Sequence, residues 1–212
     1  HILMISGGFS AGDEPDGSGK FIANVLNNKD IADAIHALLD RGGLILGICN
    51  GFQALVKSGL LPYGRLGMVT KESPTLFRND INRHISQIVT TRVGTTNSPW
   101  LSGFAVGDLH TIAVSHGEGK FVVNEEFARE LFANGQVAFQ YVDPLEEEPT
   151  MESPYNPNGS YYAIEGIISK NGQILGKMGH TERYEGNLFK NIIDEGLEQP
   201  LFDNAVAYFR AE

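Results

Sequence analysis

One cysteine lies in a sequence pattern that is typical of a catalytic nucleophile. Cys49, the only cysteine of the chain, is the centre of Gly47-Ile48-Cys49-Asn50-Gly51, between an apolar segment and a predicted helix. This is the nucleophile-elbow pattern, with Cys in the usual Ser position. The turn is tight, so its outer positions must be small, and glycine meets that need. We expect the helix N-terminus to favour the thiolate, and the Asn50 N–H to face a developing oxyanion. The alternative is a buried structural cysteine on a β–α turn.

A cysteine nucleophile needs a base, and one of the six histidines has a suitable context. His180 opens His180-Thr181-Glu182, directly after an apolar segment that ends at Met178. In an extended segment, residues i and i+2 point the same way, so Glu182 can orient the imidazole and stabilise its charge. His-x-Glu alone is a weak pattern, but its place after a predicted strand makes Cys49, His180 and Glu182 a candidate catalytic triad.

Two glycine-rich segments resemble ligand-binding loops, and they have different expected roles. Gly7-Gly8-Phe9-Ser10 follows the first predicted strand, and its glycines allow a backbone N–H to approach a ligand, so it is the candidate for the second half of an oxyanion hole. Gly17-Ser18-Gly19-Lys20 resembles a phosphate-binding loop. A Walker A motif, however, requires Gly where Glu14 stands and Ser or Thr where Phe21 stands. We therefore exclude nucleotide binding at this segment.

Composition excludes several classes of protein. The chain has 212 residues, 42% hydrophobic and 20% charged, and 16 basic against 26 acidic residues give a net charge of −10. This balance argues against a nucleic-acid-binding protein, and no apolar run is long enough for a membrane span. A single cysteine excludes an internal disulfide framework and a multi-cysteine metal site. We therefore expect a soluble, acidic and cytosolic globular protein, and the first residues do not have the pattern of a signal peptide.

The elements that would position these residues alternate between strand and helix in the first third of the chain, which favours a three-layer α/β domain with a mostly parallel sheet. Asp30 is expected to cap the second of the helices, and a hairpin is expected around Asn171-Gly172. The long loop 143–160 is expected on the surface. The predicted strands are 1–6, 44–48, 67–71, 85–93, 111–115, 120–123, 136–141, 161–168 and 173–178. The predicted helices are 21–26, 31–40, 51–58, 125–133, 187–193 and 203–209.

Taken together, the motifs resemble those of the class I (triad) glutamine amidotransferases, and most closely the branch formed by the glutaminase domain of phosphoribosylformylglycinamidine synthase. The resemblance covers nearly the whole chain. The motifs that carry it are Gly7-Gly8-Phe9-Ser10, Cys49-Asn50-Gly51-Phe52-Gln53, Ser115-His116-Gly117-Glu118-Gly119, Asn156-Pro157-Asn158-Gly159-Ser160 and His180-Thr181-Glu182-Arg183.

The resemblance implies a flavodoxin-like fold and an ATP-dependent ligase of purine biosynthesis, in which this domain hydrolyses glutamine and supplies ammonia to a synthetase domain or subunit. Cys49 would attack the glutamine carboxamide, His180 would act as base and acid, Glu182 would orient His180, and the N–H groups of Gly8 and Asn50 would hold the oxyanion. No cofactor or metal is implied in this domain, because ATP and Mg²⁺ belong to the synthetase portion. The residues implied in the glutamine pocket are Phe9, Gln53, His116 and Glu118.

Two departures from the family pattern affect these expectations. Ala11 and an acidic loop at 13–16 stand where family members usually carry an aromatic residue. Family glutaminases also begin with a β–α unit ahead of the strand that leads into Gly7, so we expect 1–212 to be a single glutaminase domain, an N-terminally incomplete fragment of a larger synthase. Two other functions stay open: a cysteine hydrolase of the same architecture acting on another amide, and a docking domain that is inactive in isolation.

Overall fold

A seven-stranded sheet runs through the part of the chain that the computed structural model describes, which comprises residues 1–13, 17–184, 188–189, 192 and 198–210. The strands of this sheet lie in the order β1-β2-β9-β8-β7-β4-β5, and β3 pairs separately with β6. The strands are β1 (Ile2–Ile5), β2 (Leu44–Ile48), β3 (Thr75–Arg78), β4 (Ile85–Val93), β5 (Leu109–His116), β6 (Glu118–Val122), β7 (Val137–Val142), β8 (Ile164–Ile168) and β9 (Ile174–Lys177). The α-helices are α1 (Lys20–Leu26), α2 (Lys29–Asp40), α3 (Asn50–Ser58), α4 (Leu60–Tyr63), α5 (Glu125–Ala133) and α6 (Leu201–Arg210).

The sheet is mixed, and its parallel part carries the candidate site. β2 pairs in parallel with β1 on one side and with β9 on the other, whereas the remaining neighbours are antiparallel. Following these pairings, β1, β2, β5, β7 and β9 point one way, and β4 and β8 point the other way. The predicted α/β class is confirmed, and most of the strands share one direction, as expected.

Burial explains why the central elements form where they do. Every residue of β2 is buried, because the strand lies between two neighbours and beneath α3, and its sequence is correspondingly apolar. Trp100 and Phe52 are among the largest side chains that are fully buried in the core. None of the described helices has the length and apolar character needed to cross a bilayer.

The cap of α2 differs from the expectation. The side chain of Asn28 accepts a hydrogen bond from the Asp30 N–H at 3.1 Å, so Asn28 is the cap and Asp30 lies in the first turn. Both residue types suit a helix start, since an amide oxygen satisfies a free N–H and a carboxylate complements the helix dipole. The helix therefore begins two residues earlier than predicted.

Three predicted segments differ from the structure or lie outside its described part. The predicted strand 67–71 is wrong: Gly67 has a φ of +75° in a turn and the following apolar side chains are exposed. The strand forms instead at β3, which pairs with β6. Residues Tyr161–Ala163 form a 3₁₀ turn before β8 and do not extend that strand. Most of the predicted helix 187–193 lies outside the described residues.

The hairpin expected around Asn171-Gly172 is present, since β8 and β9 are antiparallel and Gly172 has a φ of +76° in the turn between them. That the chain is a single domain, and that it lacks a first β–α unit of a larger synthase, stay predictions.

One glycine sets the distance between α1 and α3. Gly19 has a φ of +79°, and a Cβ there would lie 2.6 Å from the backbone nitrogen of Ala54 in α3. Gly67 has a similar φ of +75° but nothing within 4 Å of a Cβ, which makes it a matched control. We expect Gly67→Ala to lower the free energy of unfolding by about 1 kcal/mol, the usual cost of a left-handed backbone for a residue with a Cβ. Gly19→Ala should cost about 1–3 kcal/mol more, because the added methyl overlaps the helix backbone.

Urea unfolding of the two variants and the parent chain measures both losses. Equal losses would contradict the close approach of the two helices.

Candidate active site

Cys49 lies at a strained turn between β2 and α3. Its backbone has φ +52° and ψ −107°, its N–H donates to the carbonyl of Lys177 at 2.8 Å, and its own carbonyl accepts from Gln53. A Cβ on Gly47 would lie 2.5 Å from the Leu55 side chain, and one on Gly51 would overlap a backbone carbonyl of β1. The need for glycine on both sides of the cysteine therefore has a visible steric cause.

The thiol of Cys49 is buried and protonated at rest. Only 6% of the residue is exposed, and its Sγ donates to the carbonyl of Ser115 at 3.7 Å. Burial raises the pKa of the thiol to about 11, although backbone hydrogen bonds from Asn50 and Gly8 and the charge of Arg183 act to lower it. The expectation of a thiolate favoured by the helix N-terminus is thus wrong for the free protein, because desolvation outweighs the two N–H groups.

His180 and Glu182 form a hydrogen-bonded pair next to the thiol. His180 Nδ1 lies 2.5 Å from Glu182 Oε1, and the His180 N–H donates to Ala113 in β5. Partial burial acts to raise the pKa of Glu182, but the hydrogen bond and the charge of His180 outweigh it and hold the pKa below its usual value. An ionised carboxylate only accepts, so His180 Nδ1 carries a proton and donates it to Glu182. Nε2 is buried and has no hydrogen-bond partner among the described residues.

The geometry of this pair departs from the sequence argument in one respect. Residues Thr181–Arg183 form a 3₁₀ turn, not an extended segment, and Glu182 reaches the imidazole from that turn. Gly7 lies between the base and the nucleophile, because a Cβ there would be 2.9 Å from His180 Cε1 and 3.1 Å from Cys49 Cβ. The structure therefore brings the three candidate triad residues together.

The glycine loop after β1 is tied to the elbow by side chains that sequence reasoning missed. Asn50 Nδ2 donates to Ser10 Oγ at 3.0 Å and to Asp13 Oδ2 at 3.4 Å. Asp13 is buried, and its Oδ1 accepts from the N–H of Phe21 in the first turn of α1. Asp13 is therefore a structural residue and not part of an exposed acidic rim. These contacts hold Gly8, at a φ of +120°, where its N–H reaches the Cys49 sulfur.

A cavity of about 50 Å³ joins the two halves of the candidate site. It opens beside a wider cleft of about 470 Å³, and Phe9, Ser18, Gly117 and Glu118 line both. The residues that line the smaller cavity are Gly8, Phe9, Ser18, Cys49, Gln53, Ser115, His116, Gly117, Glu118, His180 and Arg183.

All of the residues expected in a glutamine pocket line this cavity, but they differ in exposure and in the hydrogen bonds that they already make. Phe9 is 91% exposed at the mouth. Gln53 is buried, and its Nε2 donates to the backbone carbonyl of Glu118. The Glu118 carboxylate accepts from the N–H of Ser18 at 2.9 Å, so it holds the loop before α1. Gln53 and Glu118 thus shape the pocket wall through their own contacts.

His116 presents an unpaired acceptor. The amide nitrogen of Asn79 donates to two backbone carbonyls, so its Oδ1 must accept from His116 Nδ1, which lies 3.1 Å away. The proton on Nδ1 leaves Nε2 as an acceptor, and this atom is buried without a partner among the described residues. Burial, with the charges of His84 and His180, lowers the pKa of His116 to about 4, so the ring is neutral at pH 7.

No group of three or more metal-ligating side chains lies close enough together to hold an ion within the described ranges. The reactive groups around the cavity are a thiol, a hydrogen-bonded imidazole and two backbone N–H groups. Such a set is suited to attack on a carbonyl carbon, because N–H donors beside a nucleophilic sulfur can stabilise an oxyanion.

Known proteins are similar to this chain in sequence and in fold. The family model described as "CobB/CobQ-like glutamine amidotransferase domain" matches residues 1–209. Phosphoribosylformylglycinamidine synthase subunit PurQ of Methanococcus maripaludis (strain C7) is 35% identical over 98% of this chain and 80% of its own length. The subunit of the same name from Gloeobacter violaceus is 34% identical over 86% of this chain and 70% of its own length.

A solved structure is also similar to this chain. A chain of the structure of PurLQS from Thermotoga maritima is 27% identical, with a TM-score of 0.68, and the match covers 98% of this chain and 79% of that chain. The resemblance seen in the sequence motifs is confirmed, and this chain belongs to the CobB/CobQ-like glutamine amidotransferase domain family.

Proposed function

We propose that this chain is the glutaminase of a phosphoribosylformylglycinamidine synthase, and that it hydrolyses glutamine to glutamate and ammonia through Cys49, His180 and Glu182. One observation carries the proposal: the Cys49 sulfur contacts the N–H groups of Gly8 and Asn50, and shares its cavity with His180, whose Nε2 has no hydrogen-bond partner among the described residues. A nucleophile, a base and an oxyanion hole are the minimum set for acyl transfer.

The reaction begins with proton transfer from the Cys49 thiol to His180 Nε2 as the sulfur attacks the carboxamide carbon of glutamine. The N–H groups of Gly8 and Asn50 stabilise the negative charge on the former carbonyl oxygen. His180 then returns the proton to the carboxamide nitrogen, the carbon–nitrogen bond breaks, and ammonia leaves behind a γ-glutamyl thioester. Water, deprotonated by His180, attacks the thioester, and glutamate and the free thiol result.

The raised thiol pKa determines when the sulfur becomes reactive. At pH 7 the free protein holds a protonated Cys49 beside His180, so very little thiolate is available to other electrophiles. Attack and deprotonation must therefore occur together, once a carboxamide occupies the cavity. The ionised Glu182 stabilises the imidazolium that forms in this step, because its pKa is below the usual value.

The cavity favours a carboxamide as the group that reacts. At about 50 Å³ it accommodates only the amide end of glutamine, so the α-amino and α-carboxyl groups extend into the wider cleft. His116 Nε2 is an acceptor without a partner in the described part of the chain, and it suits an N–H donor of the substrate. Gln53 and Glu118 set the shape of the wall, and Phe9 lies exposed at the mouth.

The fate of the ammonia follows from the relatives. The two curated relatives are named as subunits of phosphoribosylformylglycinamidine synthase, and the solved relative belongs to a PurLQS assembly. We therefore assign the ammonia to a synthetase domain or subunit that uses ATP and Mg²⁺ to make phosphoribosylformylglycinamidine in purine biosynthesis. A free thiol suits a reducing compartment, so a cytoplasmic location is part of the proposal.

Cys49→Ala removes the nucleophile and should lower the rate of ammonia release from glutamine by about a thousandfold or more, in the chain combined with its synthetase partner. Ammonia supplied directly should still support synthesis by the same assembly, because the synthetase site is unaffected. An unchanged glutamine-dependent rate in Cys49→Ala would exclude the mechanism. Loss of the ammonia-dependent rate as well would point to a damaged assembly.

The reaction of Cys49 with iodoacetamide should accelerate steeply with pH in the free chain. Since the thiol pKa is raised to about 11, the thiolate fraction grows about tenfold for each pH unit between pH 7 and pH 9. A free cysteine, with a pKa of about 8.5, serves as the control and should approach its plateau in the same range. Mass spectrometry of the only cysteine-containing peptide measures the rate, and a plateau for Cys49 below pH 8 would contradict the protonated resting state.

A further inference from the structure

A buried ion pair lies behind the candidate site and has no part in the reaction steps. Lys177, the last residue of β9, has its Nζ 3.6 Å from Oε1 of Glu165 in β8, and both side chains are fully buried. Charged side chains are almost never fully buried unless they are paired. A buried pair costs so much desolvation that it contributes little net stability, so its presence calls for another explanation.

The Lys177 ammonium uses all of its donors on the segment that carries His180 or on its support. Its Nζ lies 3.1 Å from the Gly179 carbonyl, 3.2 Å from Thr181 Oγ1 and 3.0 Å from Gln199 Oε1. An ammonium has three N–H groups, so these three acceptors satisfy it. Gly179 and Thr181 are the two residues on either side of His180, and one buried side chain therefore holds both.

Glu165 binds the same segment, at the residues that precede His180. Its Oε1 accepts from the N–H of Gly179 at 2.5 Å, and its backbone carbonyl accepts from the N–H of Met178. The peptide groups on both sides of Gly179 thus find partners in the pair. Without it, the Gly179 N–H and carbonyl would be buried polar groups without these partners, in a segment that has left the sheet.

Lys177 also contacts the nucleophile's side of the site. Its backbone carbonyl accepts the N–H of Cys49 at 2.8 Å, in continuation of the parallel pairing of β2 and β9. One residue therefore holds the elbow with its main chain and the base-bearing segment with its side chain. The lysine charge reaches the triad as well, since it helps to lower the pKa of Glu182.

We propose that Lys177 and Glu165 are positioning residues, which fix His180 against the Cys49 sulfur by clamping Gly179 and Thr181. The inference rests on the proposed glutaminase function and extends it. The two residues touch neither substrate nor reacting atoms, so their loss should impair the chemical step and leave glutamine binding intact. A misplacement of about 1 Å at a reacting centre lowers a rate by about a hundredfold.

The decisive variant is the double substitution Lys177→Met with Glu165→Gln, in the full chain with its synthetase partner. Removing both charges leaves no uncompensated buried ion, so this variant should still fold and should lose less stability than either single substitution. We expect its kcat for glutamine to fall at least tenfold while KM stays within about twofold. Lys170→Met makes the same chemical change at an exposed lysine of the same hairpin, and it should leave both constants unchanged.

Two further measurements keep the result interpretable. Alkylation of Cys49 by iodoacetamide at pH 9 should proceed at the parent rate in the double variant, because the elbow is intact. If the double variant does not fold, Thr181→Val decides: it keeps the side-chain shape, removes the hydroxyl that Lys177 and Gln199 share, and should lower kcat without a change in KM.

The outcomes separate the positioning role from the proposed function. A folded double variant with a parental kcat, or with a raised KM and an unchanged kcat, would overturn the positioning role. So would an unaltered kcat in Thr181→Val. A parent assembly that releases no ammonia from glutamine would instead overturn the proposed function.

Discussion

The left-handed backbone of Cys49 is the constraint on which the rest of the site depends. A φ of +52° with a ψ of −107° is costly for a residue with a side chain, and the surrounding structure must hold it in place. Hydrogen bonding to β9, burial of β2 and the missing side chains of Gly47 and Gly51 supply that support. The strained turn then points the thiol out of the sheet, where the glycine loop and His180 can meet it.

Burial has two opposite effects on this chemistry. It raises the pKa of the Cys49 thiol, so the sulfur is protonated and weakly nucleophilic in the free protein. The same low-dielectric surroundings strengthen hydrogen bonds to a charge that develops during the reaction, which is where Gly8 and Asn50 lie. The site is therefore arranged for a transition state in which charge appears, and not for a stable thiolate.

The parts of the site that sequence predicted are those whose cause is local. The tight turn at Cys49 and the short separation of His180 from Glu182 can be read from neighbouring residues, although contacts with β1 and α3 also require the glycines at 47 and 51, and Glu182 reaches His180 from a turn. Asp13 and the Lys177–Glu165 pair were missed, because their partners lie on other elements and only the fold brings them together. The strand predicted at 67–71 failed for a similar reason: short apolar runs suit either a turn or a strand, and pairing with β6 selected β3.

The proposed mechanism requires a covalent intermediate between glutamine and Cys49. Acid quenching during turnover, followed by mass spectrometry of the Cys49 peptide, detects this intermediate. We expect a γ-glutamyl adduct on this peptide, present with glutamine and absent with glutamate alone. Ammonia release at the normal rate without any adduct on Cys49, under conditions where a thioester survives the quench, would contradict the mechanism.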